Sequence, residues 1–376
     1  MEHRENLAWV DWLRIIACFL VVMAHCVDPF VAQFDSNYSD FLTGAFWGSF
    51  VRPCVPLFVM VTGVLLLPVN MPLGQFYKKR LSRVLWPLAV WSILTPILFY
   101  FYVNYSGSTH PGFAMADFSI QGMLTKMFIW PLNFTYDTTP LWYLYMLVGL
   151  YLFMPIISPW LREASRGDLK KFLGIWIFSM CIPYLIMLAP VLGFTGNYGS
   201  MDLFGGCFWN PYGTFYYFSG FLGYIVLAFY LKRFPIDWSW AKTIKIAIPM
   251  FLVGYLVTAG GFILTQKYFP TSYQALEIVW YFSGINVFLM TLAAYLIISR
   301  IRVKSSALLS RVAGLTFGIY LAHFLFVHLA YDVLYSVLGS LPAALKIPLM
   351  GLMAFTITYA LVWCLSKLPI RKYFIG

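Results

Sequence analysis

Asp11, Arg14, His25 and Asp28 all stand in or beside the first apolar run of the sequence. Ionisable groups in such a run are expensive in hydrocarbon, and those that persist mark substrate paths, proton relays or binding sites. On a helix, the eleven residues from Arg14 to His25 make almost three whole turns, a residual rotation of about 20° and a rise of about 16 Å. The two therefore share one stripe, with Cys18 between them on nearly the same line and Asp28 at i+3 from His25. A polar seam of this kind implies a lined passage. Its imidazole can accept a proton near neutral pH, and burial favours the neutral, basic form. Arg52 lies some ten residues into the second apolar run, at a depth close to that of His25. A buried guanidinium needs a carboxylate or several carbonyls, for which Asp28 is the nearest candidate by depth, and it can stabilise a developing oxyanion.

The elements that must position these groups follow from composition. Of 376 residues, 61% are hydrophobic, 20% aromatic and only 10% charged. Soluble domains carry about 25% charged residues, so with a mean hydropathy of +0.78 the chain cannot wrap a water-soluble globule. Disordered and disulfide-stapled secreted classes are excluded as well. A membrane-spanning helix needs about 20 apolar residues. Ten such segments are expected, at 9–32, 42–67, 84–104, 140–160, 171–193, 213–231, 243–265, 276–299, 314–338 and 343–365. No internal repeat interrupts them.

The net charge of +11 would suggest nucleic acid in a soluble protein. Here 20 of the 25 Lys and Arg residues fall on alternate connections, only Lys126, Lys267 and Lys346 on the others, and Arg14 and Arg52 within spans. Basic residues concentrate on cytoplasmic loops. The expected architecture is all-α and polytopic, with ten transmembrane helices, both termini cytoplasmic, and one membrane-embedded domain over residues 1–376. The first span reads as a signal anchor rather than a cleaved signal peptide.

Asp11-Trp12-Leu13-Arg14, followed by ten residues and His25, resembles the R-x10-H signature of the membrane acyltransferase 3 family, bacterial O-acyltransferases of envelope glycans. Further stretches are similar in order: Arg52-Pro53-Cys54-Val55-Pro56-Leu57-Phe58 leading to Thr62-Gly63, Arg80 and Arg83 as an R-x-x-R before Pro87, Leu141-Trp142-Tyr143-Leu144 with Tyr151, Tyr217-Phe218 with Gly220 and Gly223, and Phe317-Gly318-Ile319-Tyr320-Leu321-Ala322-His323. Thr62 and Thr316 stand where the family commonly has Ser, and both keep a hydroxyl.

The resemblance implies an enzyme of the bacterial inner membrane. It would move an acyl group, expected to be acetyl, from cytoplasmic acyl-CoA to a hydroxyl of an extracytoplasmic glycan or lipid-linked sugar. In that frame His25 is a general base or an acyl-imidazole carrier. Asp28 could orient its ring, Arg14 would position the donor and Arg52 would support the transition state. Arg80 and Arg83, on one helical face, would hold the CoA phosphates. Trp142, Tyr320 and His323 join the substrate-binding set. No metal is expected, since His323 and His328 point about 140° apart on a helix; no resident cofactor is expected, and the charge pattern resolves into topology rather than nucleic-acid binding. His3 and His110 are expected at the surface. The competing reading is a secondary transporter or glycan exporter using the same Arg and His residues.

Overall fold

The computed structural model describes residues 8–108, 110, 113–194, 196, 203–207, 209–270, 272–302 and 304–376. His3 and Arg4 lie outside the described residues. Helix accounts for 77% of the structure, with no strand among the described residues. The protein is an all-α polytopic membrane protein. Nine helical segments of the described residues are long and apolar enough to cross a bilayer.

The chain divides into two compact units. The first holds residues 1–54, 71–155 and 302–376, the second residues 55–70 and 156–301. In the first unit are α1 (Ala8–Cys26), the short α2 (Asp28–Val31) and α3 (Tyr38–Phe50). The helix α4 (Cys54–Leu66) begins at its boundary and belongs to the second unit. The first unit continues with α5 (Leu73–Tyr105), α6 (Ile120–Ile129) and the start of α7 (Trp142–Glu163). It ends with α14 (Ala307–Val337), α15 (Ala343–Leu365) and α16 (Arg371–Ile375). The second unit comprises the rest of α7 with α8 (Arg166–Ser179), α9 (Ile182–Leu188), α10 (Leu222–Arg233), α11 (Trp240–Tyr268), α12 (Tyr273–Trp280) and α13 (Ile285–Ile298).

In the first unit α14 packs along both α1 and α15. Asp11 Oδ2 accepts from Ser310 Oγ at 3.2 Å, Cys18 Sγ donates to the Thr316 carbonyl at 3.4 Å, and the His25 ring meets the His323 ring. Each step of seven residues on α1 is matched by six or seven on α14, so the two helices run parallel. A short connection then turns α15 back against α14. The start of α1 and the end of α15 consequently lie at the same end of this unit.

The segment expected as the sixth span, 213–231, differs from a single helix. It forms a 3-10 turn over Gly213–Phe218, and then α10, whose 12 residues rise only about 18 Å. The cause is Trp176, fully buried on α8. Its indole Nε1 donates to the Gly220 carbonyl at 2.9 Å, and its ring occupies the place where a side chain at Gly223 would project. Gly220 takes φ +75°, a conformation glycine adopts readily and other residues resist.

With no hydrophobic drive between helices in lipid, close packing rests on small residues and polar contacts. The α11–α13 pair shows both. Tyr184 donates to Asn286 Oδ1 at 2.7 Å. The Asn286 amide donates to Thr258 Oγ1 at 2.8 Å and to the Val279 carbonyl at 2.7 Å. Beside this network, a Cβ on Gly254 would lie 2.4 Å from the Asn286 backbone carbonyl oxygen, which cannot swing away as a side chain would. Gly254→Ala is therefore expected to destabilise the protein by about 1–3 kcal/mol. Equilibrium unfolding in detergent tests this; an unchanged midpoint would mean the helices separate without strain.

Candidate active site

Two clusters of chemistry lie in the first unit at the two ends of the α1 stripe. The inner one gathers Arg14, Arg80 and Arg83. Phe76, nearly fully buried, sets its ring edge-on to Tyr151 at 6.1 Å, and the neighbouring Tyr77 hydroxyl donates to the Leu152 carbonyl at 2.7 Å. Phe76, Arg80 and Arg83 follow i, i+4, i+7 spacing, so seating Phe76 on α7 turns both guanidinium groups toward Tyr151. Arg14, Arg80 and Arg83 all lie within electrostatic range of that phenol, and Arg83 within range of Arg14. Asp11 sits 3.9 Å from Arg14 Nη1. Arg80 Nε is buried without a hydrogen-bond partner, a donor with nothing to donate to. This end of α5 is held from the other side by α16, through Trp91 Nε1 donating to the Phe374 carbonyl at 2.9 Å.

The outer cluster is built on His25. Asp28 Oδ2 lies 3.5 Å from His25 Nδ1, close enough to bias the orientation of the ring. The imidazole faces α14, with its centroid 5.3 Å from that of His323 and 5.1 Å from Phe324, edge-on. His323 is completely buried. Its Nδ1 donates to the Tyr320 carbonyl at 2.7 Å. One turn further, buried His328 donates from Nδ1 to the Phe324 carbonyl at 2.9 Å, and its Nε2 lies 3.3 Å from the Tyr136 hydroxyl.

His110, expected at the surface, is only 5% exposed. Its ring sits 4.2 Å from that of His328 and 4.8 Å from Tyr331, while Phe113 stacks on His328 at 4.9 Å. Nothing periodic in residues 106–118 announces this burial, which comes from tertiary contact with α14.

Arg52 sits at Val51–Pro53, where the helix breaks between α3 and α4. Its Nε donates to the Gly48 carbonyl at 3.2 Å, which supplies a carbonyl partner on α3. Trp142, half-buried, opens α7. Tyr320 is buried, and its hydroxyl donates to the Pro140 carbonyl, with Tyr143 5.2 Å away ring to ring. The structure thus brings His25, Asp28 and His323 together, and Arg14, Arg80 and Arg83 together. Tyr320 supports the fold around the first group.

Residues 7–366 match the family described as an acyltransferase domain, acyltransferase 3. The chain belongs to the acyltransferase 3 family. No curated protein and no solved structure matches it. The match takes in both clusters, which this acyltransferase gathers around Arg14 and His25, about 16 Å apart along α1.

Burial lowers the His110 pKa from 6.5 to about 4, with Asp332 partly opposing the shift. A depressed pKa means that the undocked connection binds the proton more readily than the docked one. Docking is then complete above the ordinary value and weakens as pH falls from 6.5 toward 4. Amide protection factors for Phe113–Phe118 are expected to drop over that range in the wild type and to hold in His110→Phe. Equal protection at both pH values would contradict this account.

Proposed function

We propose that this acyltransferase takes acyl groups, acetyl above all, from acyl-CoA at the cytoplasmic face of a bacterial inner membrane. It delivers them to a hydroxyl of an envelope glycan or lipid-linked sugar on the far face. The observation that carries the reading is the placement of the two clusters at the two ends of one stripe of α1, with Arg80 and Arg83 of α5 beside Arg14 and His323 of α14 beside His25.

In this reading the CoA phosphates meet Arg80 and Arg83, whose charge-assisted hydrogen bonds are about twice as strong as neutral ones. The unpartnered Arg80 Nε is one donor they would satisfy. Arg14 holds the thioester end, and Arg52 stabilises the charge that develops on the acyl oxygen. At His25 the chemistry takes one of two forms. As base, the imidazole accepts the hydroxyl proton while the hydroxyl oxygen bonds the acyl carbon, the C–S bond breaks, and the proton passes to the CoA sulfur. As carrier, the ring nitrogen bonds the acyl carbon as C–S breaks and CoA leaves as thiolate. The hydroxyl oxygen then bonds the acyl carbon, the C–N bond breaks with its pair returning to the ring, and the hydroxyl proton balances the one the thiolate takes up. Asp28 orients the ring in both, and Trp142, Tyr320 and His323 border the acceptor.

Purified protein incubated with radiolabelled acetyl-CoA is expected to release CoA and to pass label to protein or glycan. A transporter would do neither. His25→Ala is expected to lower the rate at least about 100-fold at normal protein level, and transfer near the wild-type rate would sink the assignment. Arg80→Gln and Arg83→Gln are each expected to raise the KM for acyl-CoA about tenfold, or about 1.4 kcal/mol, and to leave kcat within a few-fold. A fall in kcat at unchanged KM would place these residues elsewhere in the cycle.

A further inference from the structure

His323 and His328 are fixed by their own helix in the same way. A carbonyl only accepts hydrogen bonds, so the contacts from Nδ1 to Tyr320 O at 2.7 Å and to Phe324 O at 2.9 Å place the proton on Nδ1 in both rings. Each Nε2 is left as a bare lone pair. The two then part company. His328 Nε2 has the Tyr136 hydroxyl at 3.3 Å as its donor. His323 Nε2 is buried with no partner at all, in a ring with no solvent exposure. Buried polar atoms are almost always satisfied, and an exception asks for a reason.

The neighbour supplies one. His25 stands 5.3 Å away ring to ring, is itself partly open with 18% side-chain exposure, and has Asp28 at its Nδ1. An imidazole that carries an acyl group on its remaining nitrogen has spent the lone pair that would make it a base. A carrier route through His25 therefore calls for a second base within reach, already in the right tautomer and shielded from water.

We propose that the two imidazoles divide the transfer, His25 carrying the acyl group and His323 Nε2 taking the proton of the acceptor hydroxyl. This rests on the acyl-transfer reading above. The hydroxyl oxygen bonds the acyl carbon, its proton moves to His323 Nε2, and the C–N bond to His25 breaks with its electron pair returning to the ring nitrogen. The proton held on His323 offsets the one that the CoA thiolate takes up on release, so the cycle consumes none. The titratable groups facing His323 are His25 on α1, with Asp28 beyond it, and His328 on α14. Tyr320 stands 5.9 Å from His323 ring to ring, with Tyr143 next to Tyr320.

The test separates the half-reactions in protein reconstituted in lipid nanodiscs. Rapid-quench labelling with acetyl-CoA reads acylation of His25. Methyl glucoside serves as a hydroxyl probe that needs a base, and hydroxylamine as a nucleophile that does not. His323→Gln is expected to acylate normally, to lose transfer to methyl glucoside about 100-fold or more, and to keep transfer to hydroxylamine within a few-fold. Retained transfer to methyl glucoside overturns the proposal. So does an equal loss to both nucleophiles, which is the signature of a structural role. Where His323→Gln elutes as misfolded protein, His323→Asn replaces it. The wild type gives an independent reading, since its transfer to methyl glucoside must fall as pH drops and the base is protonated, and a flat profile overturns the idea. CoA release without label on His25 also overturns the division of labour while leaving acyl transfer intact. Absence of CoA release in the wild type removes the acyl-transfer reading itself.

Discussion

The parallel seam between α1 and α14 is the constraint on which the outer cluster rests. Three pairs, Asp11 with Ser310, Cys18 with Thr316 and His25 with His323, keep a nearly constant offset along the two helices. In hydrocarbon nothing forces apolar faces together, so register is set by such polar latches and by close fit. A slip of one turn would move His323 about 5.4 Å, enough to take it away from His25. Gly351 on α15 adds a clamp, since a Cβ there would meet Met23 Sδ at 2.3 Å, and α1 is thereby held from a second side.

One helix then serves two environments. Near its start, Arg14 shares the surroundings of Tyr151 with two further guanidinium groups and has one nearby carboxylate, an arrangement of net positive charge. Eleven residues on, the surroundings are aromatic and closed, and each buried imidazole must find its hydrogen bonds among backbone carbonyls and a single phenol. The difference in dielectric between the two depths makes the same Coulombic contact worth far more at the second than at the first.

Much of this was legible in the residue order. The α1 stripe, the R-x-x-R face and the helical class follow from spacing and apolar length alone. The wheel of α14 placed His323 and His328 on different faces, and each indeed has its own neighbours, His25 for one and His110 for the other. Other features had no local signal. His110 is buried because a connection folds back onto α14, and its ring pairs with a residue over 200 positions away. The interruption at Gly220 depends on an indole from α8, which no reading of 213–231 by itself contains. Arg52 is a middle case. A proline at the next position disfavours the α conformation, so the break at Val51–Pro53 was written in the sequence beside the arginine.

The 298 residues that separate Cys18 from its partner Thr316 also fix when the site can exist. At about 5–20 residues per second, the ribosome needs on the order of 15–60 s to travel from one half of the seam to the other. During that interval α1 is in the membrane without its partner helix, and its His25 has no second imidazole. Loop closure over such a length is slow compared with local helix formation. The outer cluster is therefore among the last things this protein completes, and a ribosome that stops short of α14 leaves a chain with the stripe but not the pair.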